Sequence, residues 1–211
     1  MKTRGKTTAP EDKTAGRTMI SSIFVGLLVA LAFTEMIEPI RHELRSKNGD
    51  LLGTACLLVI FFTTGLRFFI GNQLHLISKE LAALPGRIWL TDFCLIVIQC
   101  TVLVFMGGVC SIEETRLARA NLIQLQMLVL ALDIFWVVFI QYILGKLLHS
   151  WYRPNMCFEW VYINSALLAA TFLVHGLFQS WSAHPLLIML MVLNVVAFLM
   201  DVYYCDKYDL I

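Results

Sequence analysis

The sequence predicts an all-α, polytopic helical membrane protein with six transmembrane helices joined by short loops. Three observations carry that expectation. Of 211 residues, 59% are hydrophobic and only 15% charged, and the mean hydropathy is +0.76, well above what a soluble domain needs to fill one core. Apolar runs long enough to cross a hydrocarbon core, which takes about 20 helical residues, recur six times along the chain. Helix breakers fall between them, at Pro39, Asn48-Gly49, Pro85-Gly86, Arg153-Pro154-Asn155 and His184-Pro185. Four spans accompanied by two amphipathic surface helices is the alternative.

The elements follow in order. Residues 1–18, MKTRGKTTAPEDKTAGRT, hold five Lys or Arg and no apolar run, so they read as a basic, mobile tail. The run from Met19 to Ile40 is longer than a signal-peptide core and has no small-residue cleavage pattern behind it, so it is expected to stay as the first span. The second covers Leu51 to Asn72. Beyond it Leu74, Ile77, Leu81 and Leu84 recur at helical spacing, which extends that helix past the membrane with its apolar stripe packed against something. The third span is Ile88 to Cys110. Ser111 with Glu114 has the form of a capping box, so the fourth helix is expected to begin near Ile112, enter the membrane by Leu122 and run to Leu147. Phe158 to Phe178 and Pro185 to Cys205 complete the set, followed by a short tail, 206–211. Residues 19–205 thus form one transmembrane domain, since the connections are too short to hold another.

Charge sets the orientation. With the amino terminus in the cytoplasm, the basic tail, Lys79, Arg87, Lys146, Arg153 and Lys207 lie inside, and only Arg41, Arg45, Lys47, Arg116 and Arg119 lie outside. The positive-inside rule favours this arrangement, with both termini cytoplasmic. Trp89, Trp151, Tyr152, Trp160, Tyr162, Tyr203 and Tyr204 then form an inner aromatic belt and Trp181 marks the outer one. A net charge of +1 gives no reason to expect nucleic acid as a partner. The chain has no Asn-x-Ser/Thr sequon, as suits a bacterial inner membrane. Its six cysteines, Cys56, Cys94, Cys100, Cys110, Cys157 and Cys205, form no CxxC pair and read as small core residues rather than a disulfide framework.

Polar residues inside apolar runs carry what functional signal there is. Asp133 sits near the centre of LIQLQMLVLALDIFWVVFIQYILGKL. An aspartate at that depth costs about 2.5 to 3.5 kcal/mol on insertion, so it must face protein or water. Counting depth at about 1.5 Å per residue sorts the polar residues into three layers. Near the midplane, Asp133, Gln99 and Asn194 form a candidate pathway or polar core: an acid flanked by amides attracts cations or protons. In the inner third, Arg67, Asp92 and Asp201 form a charge cluster that reads as a structural lock or as a gate. In the outer third, Glu35 and His175 are candidates for a pH-sensitive pair. The bland reading of all three layers is helix-to-helix glue, worth on the order of 1 kcal/mol per hydrogen bond.

Other chemistries find little support. No HExxH, GxSxG or GxxxxGK motif is present, so no catalytic residues are assigned and an enzyme is not expected. Haem ligation would need two histidines at matching depth, and only His75 with His149 come close, both beyond the inner membrane edge. No cofactor or metal is therefore expected. Gly65, Gly71, Gly107 and Gly108 allow helices to approach closely. The plan of six short-looped spans resembles that of bacterial relatives of lysosomal potassium channels. That family's first helix carries Arg followed by Phe-Ser-Asp, whereas the corresponding helix here reads ISSIFVGLLVALAFTEMI, so no residue role is carried over.

The leading expectation is a small homo-oligomeric protein in contact with lipid that forms an ion or proton pathway, since 211 residues without paired repeats is small for a complete alternating-access transporter. A second expectation is a non-conducting membrane anchor or sensor that recruits a soluble cytoplasmic protein, for instance in stress response or phage defence. A third, weaker one is a subunit that handles lipid or an envelope precursor, with Arg67 meeting a head group.

Overall fold

A computed structural model describes residues 10–45, 50–76, 86–109, 115–148, 157–177 and 183–207. These form six helices: α1 (Pro10–Arg45), α2 (Leu51–Leu76), α3 (Gly86–Val109), α4 (Thr115–Leu148), α5 (Cys157–Leu177) and α6 (Ala183–Lys207). Each contains a segment long and apolar enough to cross a membrane. The protein is thus a six-span helical membrane protein, and the four-span alternative falls away.

Helix ends depart from expectation at several places. Helix α1 already begins at Pro10, inside what the sequence reads as a tail. Proline costs nothing at a first helical position, because the N–H it lacks would have no intrahelical partner there. With 36 residues α1 is about 54 Å long, and α4 with 34 is about 51 Å, so both overrun a hydrocarbon core of about 30 Å. Helix α4 is described from Thr115, and its expected start near Ile112 lies outside the described residues. Ser111, Glu114, Ile77, Leu81, Leu84, His149, Trp151, Tyr152 and Trp181 lie outside the described residues, as do positions 1–9 and 208–211.

The helices pack in the cyclic order α1, α3, α4, α5, α6, α2, with α2 also touching α3 and α4. Helix α2 is therefore central. Within its span 56% of residues are buried, against 28% in α1 and α3, although the whole helix is as apolar as its lipid-facing neighbours. Hydrophobicity cannot place it inside, since lipid is as apolar as a core; close packing and interhelical hydrogen bonds do. Gly107 of α3 packs against the Ala32 backbone of α1, and at Gly71 of α2 the edge of the Trp160 ring of α5 fills the place a Cβ would take. Phe33 of α1 closes over Gly65 and meets Phe61 edge-on at 5.4 Å.

Four threonine hydroxyls in the spans are satisfied locally. Thr34, Thr63, Thr101 and Thr171 each donate to the carbonyl four residues back, at 2.7 to 2.9 Å, so they cost little even where they face lipid. Asp50 caps α2 by accepting from the Gly53 N–H at 2.9 Å. The same carboxylate meets His184 Nε2 at 2.9 Å, which ties the start of α6 to the start of α2 on the side opposite the start of α1.

Candidate functional site

Polar side chains meet inside the bundle in three layers, strung along α2. The layer farthest from the α1 start joins Thr64 of α2, Gln126 of α4 and Asn194 of α6. Gln126 Nε2 donates to Asn194 Oδ1 at 2.7 Å, Thr64 Oγ1 lies 3.2 Å from that oxygen, and Asn194 Nδ2 donates to the Leu190 carbonyl at 2.9 Å. All three side chains are buried.

The middle layer holds the charges. Arg67 of α2 donates through Nε to Asp201 Oδ2 of α6 at 2.6 Å and through a terminal nitrogen to Asn164 Oδ1 of α5 at 2.8 Å. Asn164 in turn donates from Nδ2 to Asp133 Oδ2 of α4. Gln99 Nε2 of α3 approaches Asp133 Oδ1 at 3.5 Å. Asn164 thus stands between the guanidinium and Asp133, and no direct hydrogen bond or ion pair joins Arg67 to Asp133 among the described residues. With both acids ionised this layer carries two negative charges against one positive, and its negative surplus sits on the carboxylate that meets only amides.

The third layer, nearest the α1 start, is a closed triangle. Asp92 of α3 meets His75 Nε2 of α2 at 2.9 Å through Oδ2, and its Oδ1 accepts from Trp136 Nε1 of α4 at 2.8 Å. The His75 and Trp136 rings meet edge-on at 4.6 Å. From Thr64 to His75 the column runs eleven residues of helix, about 16 Å, over half the thickness of a hydrocarbon core.

The expected groupings are rearranged by this geometry. Arg67 and Asp201 come together, but Asp92 joins His75 and Trp136, because α3 packs on α1 and α4 rather than on α6. Asp133 and Gln99 come together, while Asn194 lies two turns before Asp201 and so reaches the Thr64 layer. Glu35 and His175 are not joined: Glu35 is exposed on α1, α5 packs on the far side of the ring, and His175 Nδ1 is buried without a hydrogen-bond partner. Trp160 is not a belt residue either, being buried over Gly71. Asn164, Gln126, Thr64 and Trp136 are the residues sequence reasoning missed, and His75, expected beyond the inner membrane edge, joins Asp92 in the third layer. One signal pointed to all three layers: Asp92 and Gln99, Gln126 and Asp133, and Asn194 and Asp201 are each seven residues apart, a spacing that puts both members on one helix face.

Among the described residues no group of three or more His, Cys, Asp or Glu side chains is placed to hold a metal ion. Cys56, Cys94, Cys100 and Cys205 form no disulfide among the described residues. No protein-family model, curated protein or solved structure matches the chain. Any functional reading therefore stands on the column itself.

Proposed function

We propose that this protein forms an ion or proton pathway through its helix bundle, centred on Asp133, and that it works as an oligomer in a bacterial inner membrane. The carrying observation is a buried carboxylate in mid-span that the neighbouring guanidinium does not reach, with Asn164 between them. A lock built only for stability would pair charges directly, since an uncompensated buried charge costs several kcal/mol. Leaving Asp133 to amides keeps one charge available for exchange with a mobile cation or proton. The Thr64 and His75 layers extend polar contacts to either side of it.

The test is flux in liposomes, comparing wild type with Asp133→Asn at matched insertion and oligomer size. The proposal expects flux that the variant lacks; equal flux in both, or none in either, overturns it.

The second reading is a membrane anchor that recruits a soluble protein, and the overrun of α1 and α4 favours it, since each presents about 20 Å of helix beyond the hydrocarbon core. A silent liposome assay with wild type would move the search to those extensions. A lipid-binding role for Arg67 gains nothing, because that guanidinium is buried and already held by Asp201 and Asn164.

A further inference from the structure

We propose that the species taken up at Asp133 is a proton, carried as the neutral carboxylic acid, and that Gln99 is the positioning residue that accommodates both charge states. This deepens the pathway reading and rests on it for its physiological meaning. The choice of proton over metal cation comes from counting oxygens. A dehydrated cation of hard character needs about six oxygen ligands. At Asp133 the structure offers its own two carboxylate oxygens and the Gln99 Oε1, while Asn164 Oδ1 is occupied by Arg67 and Asn164 faces Asp133 with its donor nitrogen. Three oxygens are too few for a cation and enough for a proton.

Gln99 supplies the second observation. Its side chain is 1% exposed, one end reaches Asp133 at the long distance of 3.5 Å, and its Oε1 is buried with no hydrogen-bond partner. The two ends of a primary amide are nearly isosteric. With Asp133 ionised, Nε2 donates to Oδ1. When a proton from hydronium binds Oδ1, water is left behind, the amide turns over, and the new O–H donates to Oε1. Release reverses both steps, and no other bond is made or broken. The proton also removes the negative surplus of the layer. The charged groups facing Asp133 are Arg67 on α2 and Asp201 on α6; α3 and α5 face it with the neutral amides Gln99 and Asn164. Arg67 then remains balanced by Asp201 alone.

The test is infrared difference spectroscopy of the purified wild-type protein during a pH titration, with Asp133→Asn, Gln99→Leu and Gln99→Glu alongside and folding checked by thermal unfolding. The expected result is a carboxylic-acid carbonyl band that appears on acidification and is lost in Asp133→Asn. In Gln99→Leu, which cannot accept the O–H, the band persists but moves to higher frequency and its midpoint shifts; a residue that merely fills space would leave both unchanged. Gln99→Glu restores an acceptor and brings the frequency back toward wild type. No titrating band at Asp133, or a band that sodium or potassium removes at constant pH, overturns the proposal. Because the band is read without flux, a protonating Asp133 in a protein that conducts nothing defeats the pathway alone, while sodium or potassium flux without the band defeats the proton assignment alone.

Discussion

Arg67 is the residue whose loss the bundle should feel most. It holds three helices at once, reaching Asp201 on α6 and Asn164 on α5 from its place on α2. Removing one member of a buried pair leaves the other charge uncompensated, which typically costs about 3 to 5 kcal/mol. Arg67→Ala is therefore expected to lower thermal stability in detergent by an amount in that range. Asp201→Asn combined with Arg67→Ala removes the orphaned charge as well, so the double variant is expected to regain most of that loss. A double variant no more stable than Arg67→Ala would mean that Asp201 gains little from the guanidinium. The sequence makes this pair legible, because an arginine and an aspartate buried in apolar spans have few places to go. It does not disclose Asn164, a neutral residue whose role depends on α5 packing between α4 and α6.

Helices α1 and α3 run parallel and share a broad contact, and a single glycine decides how closely they approach. A Cβ on Gly107 would lie 2.4 Å from the Ala32 carbonyl oxygen of α1, which is backbone and cannot swing away, whereas a Cβ on Gly108 meets nothing within 4 Å. Gly107→Ala is expected to destabilise the bundle by about 1 to 3 kcal/mol, as overpacking does. Gly108→Ala is expected to be neutral or slightly stabilising, since alanine is the better helix former by up to about 1 kcal/mol. Thermal unfolding of the two variants side by side checks this, and equal effects would contradict the α1 and α3 contact. Element number and span position follow from apolar run length and are plain in the sequence. The packing order is not, because every lipid-exposed face is apolar and gives no helical periodicity to say which side turns inward. That is why Gly107 and Gly108 look alike in sequence, and why Asp92 and Asn194 are expected beside neighbours they do not have.

At the scale of the whole molecule, six spans put the start of α1 and the end of α6 on the same side of the membrane, and we propose the cytoplasm for that side because it would hold the larger share of Lys and Arg. The start of α1, Arg87 at the start of α3 and Lys207 at the end of α6 share one end of the bundle, while Arg41 near the end of α1 marks the other. Protease-cleavable tags at each terminus, compared in right-side-out and inverted vesicles, measure this directly. Both tags are expected to be cut only in inverted vesicles. Tags on opposite sides would require an odd number of spans and break the pairing of α2 with α6, which depends on the two helices running parallel and being joined at Asp50 and His184. Both tags on the outer face would keep all six spans and reverse the column instead. A proton would then meet His75 and Asp92 first from outside, rather than reaching Asp133 past the Thr64, Gln126 and Asn194 layer.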